Sequence, residues 1–268
     1  MTEASDIHGR RPRLYFVSAP VDWLAMGGLS ILCWLVLRSV HSGDRSDLVI
    51  TLGMQLAWFV NWPHFAATSY RLYQSREHVA QYPKTAKLLP WLMAAGVAAA
   101  LWSPEGFAPW WVKAFLIWSP YHFSGQTFGM TMLYARRSGW TVDPWLRRGF
   151  KAFIFGTFLV GSVGAETWGD SAEWYGVEYP SFGWPSWTVD VVTGVMYAGL
   201  AVVVVRLSTQ IRAIRRLPPL ILLLPAASQY VWFIAGSGWY SFSEFVPLFH
   251  SLQYLLVAWS MHLQDQHL

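Results

Sequence analysis

Four histidines interrupt stretches that are otherwise apolar: His64 in Asn61-Trp62-Pro63-His64-Phe65, His122 in Tyr121-His122-Phe123-Ser124-Gly125-Gln126, and His250 and His262 near the C-terminus. An ionisable ring in such surroundings is costly unless it faces a protein interior and finds a partner, which makes intramembrane histidines functional candidates. Asn61 lies three residues before His64, Gln126 four after His122 and Gln253 three after His250, all spacings that share a helix face. An amide oxygen one turn away could orient a metal-bound imidazole or join its ligands, so Asn61, Gln126 and Gln253 are candidate cofactor-binding residues. The competing reading is polar glue, with His, Asn and Gln hydrogen-bonding between helices. For three such pairs plus His262 the spacing favours a metal or haem site, with His64, His122 and His250 as the core ligands. His262 is then a fourth ligand or a boundary residue.

The elements that must position these rings are membrane helices. Of 268 residues, 54% are hydrophobic, 17% aromatic and only 13% charged, about half the usual charge density of a soluble domain. The expected fold is all-α: a polytopic bundle of about eight transmembrane helices, with residues 21–263 as one membrane domain between short tails, 1–20 and 264–268. The spans are placed near Val21–Val40, Leu48–Tyr70, Leu88–Ser103, Trp110–Tyr134, Phe150–Ala165, Trp187–Val205, Leu220–Gly236 and Glu244–His262. The first is read as a retained span, not a cleaved signal.

Lys and Arg alternate between successive connections. Arg10, Arg11 and Arg13, then Arg71, Arg76, Lys84 and Lys87, then Arg136, Arg137, Arg147, Arg148 and Lys151, then Arg206, Arg212, Arg215 and Arg216 fall on one side. The other side carries only Arg38, Arg45 and Lys113, together with the acidic residues Glu166, Asp170, Glu173, Glu178 and Asp190. This positive-inside pattern predicts cytoplasmic termini and a multi-pass protein of the cell's inner membrane. The net charge of +4 does not imply nucleic acid, because the basic residues sit in short clusters between apolar runs. One cysteine, Cys33, excludes an intrachain disulfide. The acidic, aromatic loop from Glu166 to Trp187 reads either as a cap over an entrance to the bundle or as an ordinary interfacial loop.

At a rise of about 1.5 Å per residue, His64 falls roughly 24 Å, His122 roughly 18 Å, His262 roughly 27 Å and His250 only about 9 Å below the outer boundary. An earlier start or a kink at Pro247 would narrow the discrepancy for His250. His250 and His262, about 120° apart around a helix, cannot both aim squarely inward.

The Asn61–Phe65 and Tyr121–Gln126 runs, together with Phe249-His250-Ser251-Leu252-Gln253-Tyr254-Leu255, resemble a group of bacterial membrane proteins with one His motif per helix. More remotely, the layout resembles the Brp/Blh-type β-carotene dioxygenases, polytopic enzymes thought to hold non-haem iron through histidines on several helices. That resemblance implies O₂-dependent cleavage of a lipophilic substrate such as a carotenoid. The repeated His boxes of membrane desaturases are absent. Neutral imidazoles with an open coordination position suit non-haem iron and O₂ chemistry, with a hydrophobic substrate arriving from the bilayer. Tyr121 and Tyr254 are the catalytic candidates, as hydrogen-bond donors to oxygen, against the plainer reading of packing rings. Two alternatives belong to other classes: a haem b electron-transfer subunit with two axial histidines, and a metal-free structural or assembly subunit of a membrane complex. Membrane lipids are expected partners in every case, and nucleic acid in none.

Overall fold

The computed structural model describes residues 14–40, 46–167, 173–174, 176–238 and 240–266. The arginines at 10, 11, 13 and 45, the aspartate at 170 and the histidines at 8, 41 and 267 lie outside the described residues. Among the described residues the regular structure is helical apart from one small ladder, in which β1 (Glu173–Trp174) pairs antiparallel with β2 (Val177–Glu178). Its helices are α1 (Ala19–Val40), α2 (Asp47–Tyr73), α3 (Arg76–Gln81), α4 (Lys84–Trp102), α5 (Ala108–Arg137), α6 (Pro144–Ala165), α7 (Trp187–Ile214), α8 (Leu224–Tyr230), α9 (Tyr240–Ser243) and α10 (Val246–Gln266). Three of them, α1, α4 and α7, are long and apolar enough to cross a membrane.

Each apolar run expected as a span lies in helix, but the boundaries move for local reasons. Helix α6 starts at Pro144 and takes in Arg147, Arg148 and Lys151, because Asp143 caps it by accepting from the N–H groups of Trp145 and Leu146 at 2.9 and 3.0 Å. Arg206 holds the same carboxylate at 3.0 Å, tying α7 to the cap. The expected span at Leu220–Gly236 is a 3₁₀ turn, a seven-residue helix and a π-type turn in succession. The helix expected from Glu244 begins at Val246 and is preceded by the separate turn α9.

Helix α1 bulges at Leu24–Gly28, where Gly27 has φ of 151° and a Cβ would stand 2.6 Å from that of Ser228. Only glycine fits this crossing with α8. Beside the bulge, the Met26 carbonyl accepts from Gln253 Nε2 at 2.9 Å. One apolar core joins α1, α5, α6, α7 and α8 around Tyr134, Leu146, Phe150, Ile154 and Met196. A second, around Trp232, Phe242 and Phe249, lies against α2 and α10. The main polar hub between them is Gln229 of α8, fully buried, which accepts from Thr127 Oγ1 (2.8 Å) and donates to Ser124 Oγ (2.8 Å) and Thr157 Oγ1 (3.2 Å). It ties α5, α6 and α8 together with both of its amide atoms used.

Candidate metal centre

Helices α2, α5 and α10 bring His64, His122 and His250 together. One ring nitrogen from each lies within 4.8 Å of the other two, and ring centroids are 5.2 Å (His64–His250), 5.0 Å (His122–His250) and 6.2 Å (His64–His122) apart. His64 and His250 are 4% and 2% exposed, and His122 is half-buried. The expected mismatch in depth disappears because the connection before α10 folds into the bundle. The Ser46 N–H donates to Ser241 Oγ at 2.9 Å, which sets the start of α2 level with α9 rather than with α10. From there α2 and α10 run in the same direction, with Asn61 meeting Ser251, His64 meeting His250 and Tyr254, and Tyr70 meeting His262.

The rings are held by aromatic faces. Phe123 stacks on His250 at 4.0 Å, Trp118 stacks on His122 at 5.2 Å with planes 10° apart, and Tyr254 meets His64 edge-on at 4.5 Å. Trp118 escaped the sequence reading, although its place one helical turn before His122 was a usable signal. Both ring nitrogens of His250 and Nδ1 of His64 are buried without a hydrogen-bond partner among the described residues. Buried polar atoms are rarely left so, and an orphaned pair on one ring points to a missing partner.

The amides behave differently from expectation. Asn61 accepts from Ser251 Oγ; Gln126 Nε2 donates to the His250 carbonyl at 2.8 Å and lies 3.5 Å from Gln253 Oε1; Gln253 turns to Met26. None bonds an imidazole. The rings point to the shared centre, while the amides reach sideways to neighbouring helices and fix the backbones that carry the rings. Of the atoms of these three amides, Gln126 Oε1 is buried without a partner among the described residues.

Two expected site residues stand apart. Tyr121 is 53% exposed and packs on Phe155 and Phe158 of α6, because it is one residue, about 100° of helix, from His122. His262 lies three turns beyond His250, against Tyr70 and Trp259. Twelve residues, about 18 Å, along α10 from His250, it does not join the trio as a fourth ligand.

A carboxylate inside the first apolar run, Asp22, was also missed. Fully buried, it accepts from the N–H groups of Phe16 (2.7 Å) and Val17 (3.1 Å) and from Tyr134 Oη (2.7 Å). Arg137 then donates to the carbonyls of Leu14 and Tyr15. This cluster clamps the entering chain onto α5 at the basic end of the bundle, away from the histidines.

At the opposite end, Lys113 and Glu166 form a buried ion pair at 2.7 Å, and Tyr179 Oη and the Phe182 N–H donate to the same carboxylate. Burial opposes ionisation of Glu166, but the bonds from Lys113, Tyr179 and Phe182 and the Lys113 charge outweigh it and hold the carboxyl below its ordinary range. The loop after α6 is therefore pinned to α5. Comparison with protein families, curated proteins and solved structures finds no match for this chain.

Proposed function

We propose that the protein is a membrane-embedded metalloprotein in which His64, His122 and His250 hold one ion, most simply non-haem iron in an oxygenase acting on a lipophilic substrate. The observation that carries this reading is the convergence of three imidazoles from three helices on one buried point. Nitrogens bound about 2.1 Å from a common ion stand about 3 to 3.5 Å apart, a spacing that modest side-chain rotation reaches from the present one. Polar glue would use the ring nitrogens in hydrogen bonds between helices. Here the amides do that work and the ring nitrogens of His250 do not. The clustering also favours a single ion over haem b, since a porphyrin between two axial imidazoles would hold the third ring away from the iron.

Among the described residues, three imidazole nitrogen donors and no carboxylate form this group, a set compatible with iron, zinc or copper. When bound, iron would supply O₂ activation. The protein's own residues bind and orient: Phe123 and Trp118 fix ring planes, Gln126 holds the His250 backbone, and Tyr254 stands beside His64 as the nearer of the two tyrosine candidates. An apolar cleft of about 450 Å³ between α5 and α6, bordered by Trp118, Tyr121 and Phe158, reaches to one side chain from half-exposed His122. It suits an apolar substrate arriving from lipid rather than from water.

The same reading takes all eight helical runs as spans with both termini in the cytoplasm of a bacterial inner membrane. Detergent-purified protein should contain stoichiometric metal, show no Soret band, and lose the metal in His64→Ala and His122→Ala. Folded variants with the metal content of the parent would remove these ligands.

A further inference from the structure

His262, which the metal trio leaves aside, borders a second site. A cleft of about 320 Å³ opens between α2 and α10, with Tyr70, Arg71 and Gln74 on one wall and Ala258, Trp259 and His262 on the other. Among the described side chains, the Arg71 guanidinium, the Tyr70 hydroxyl and the His262 ring make no hydrogen bond or ion pair, and none of those lining the cleft is a carboxylate. Gln74 is engaged by His78 at 3.3 Å and closes the outer edge.

The level of this cleft is fixed by its neighbours. Arg71 is two turns, about 10 Å, beyond His64 along α2. Ser260, two residues before His262, donates to the Phe16 carbonyl at 3.2 Å, in the segment that Arg137 clamps. The cleft thus belongs to the arginine-rich end of the bundle. On α10 Ala258 and Trp259 come about one turn before His262, and on α2 Ala67 comes about one turn before Tyr70 and Arg71, so the apolar lining lies nearer the middle of the bundle than the cationic and hydroxyl groups. Trp, Tyr and Arg together at that depth are the side chains that settle at headgroup level.

We infer that this cleft binds the phosphate headgroup of an anionic phospholipid from the leaflet on the basic side, with Arg71 and the Tyr70 hydroxyl on the phosphate, His262 beside it and an acyl chain along Ala258 and Trp259. Charge complementarity selects the headgroup: cationic and donor groups with no acid among the described lining side chains match an anionic lipid, and basic pockets between helices on the positive side of a membrane recognise such heads. The apolar wall selects a lipid over a free anion. The site is independent of the metal trio.

Trp259 provides the readout. The full chain is reconstituted into phosphatidylcholine vesicles containing a minority of acyl-brominated phosphatidylglycerol or, separately, acyl-brominated phosphatidylcholine. Quenching assigned to Trp259 is the difference between the parent and Trp259→Phe. The expected result is about a fivefold preference for phosphatidylglycerol, the effect of one cation near an anionic headgroup. It should fall toward unity in Arg71→Gln, survive largely in Arg71→Lys, and resist millimolar inorganic phosphate. Equal quenching by the two lipids, or a preference that persists in Arg71→Gln, overturns the inference. Abolition by inorganic phosphate also overturns it, since the site would then take a soluble anion. His262→Gln, expected to weaken the preference, replaces Arg71→Gln if that variant does not fold, with full retention counting against the inference. Unchanged metal content in these variants keeps the result separate from the trio.

Discussion

A buried imidazole that bonds nothing is a liability to the fold. His250 is 2% exposed, with both ring nitrogens unpartnered among the described residues, and leaving a buried polar group unsatisfied costs about 1–3 kcal/mol. An ion bound only by the folded state returns stability, about 2.7 kcal/mol at a free concentration of 100 times its dissociation constant. His250→Leu should therefore leave the metal-free protein as stable as the parent or slightly more so, while abolishing any rise in thermal midpoint on adding metal. A metal-free variant that melts well below the metal-free parent would show that the ring serves packing against Phe123 instead. The histidines were legible one by one, because an ionisable residue in an apolar run stands out. The amides were legible as neighbours but not as braces, since shared helix face does not reveal whether a side chain turns to its own helix or to the next.

Helices α6 and α7 support the site from behind by close approach of their backbones. A Cβ on Gly199 would stand 2.7 Å from the Phe153 backbone nitrogen, and one on Gly156 would stand 2.7 Å from the Met196 Cβ. Small residues at such crossings let membrane helices pack without gaps. Gly199→Leu should lower the thermal midpoint by an amount equivalent to about 1–3 kcal/mol of overpacking, yet leave metal content intact at low temperature, because α2, α5 and α10 carry the ligands. A midpoint equal to that of the parent would refute the tight crossing. The helical runs themselves were readable from apolar length. The broken path through Leu220–Ala235 and the sunken start of α10 were not, because they depend on Ser46 meeting Ser241 and on Gly27 meeting Ser228.

The whole molecule has two unlike ends. Arg137 on the N-terminal segment, Arg206 on Asp143 and Arg71 in its cleft mark one, and the Lys113–Glu166 pair with its aromatic surround marks the other. Lys113 Nζ sits 3.5 Å from the centroid of Phe182 and 4.9 Å from that of Tyr179, so the loop closes over the charge. The folded Glu166 carboxyl titrates below its ordinary value near 4.5. Its contribution is therefore present above that value and is lost as pH falls through the folded one. Hydrogen exchange at the Phe182 amide, bonded to Glu166 at 3.0 Å, should be slow near neutral pH and lose its protection in acid, after correction for intrinsic rates. Glu166→Gln should remove most of this pH dependence. Protection that persists unchanged in acid would show that the loop is held by its aromatic contacts alone.

Composition and period were enough to establish a helical, apolar protein with histidines set into its helices, because hydropathy, helix rise and charge alternation are local properties of a chain. Which histidines share a centre is decided by where one helix starts relative to another, and that offset is set by contacts between residues far apart in sequence. The amide spacing had put His64, His122 and His250 forward; tertiary packing brought those three rings to one point, sent Tyr121 to the α6 side and left His262 beside Arg71. A rotation of 100° per residue and an offset of a few residues are enough to carry a side chain from the centre of a bundle to its edge.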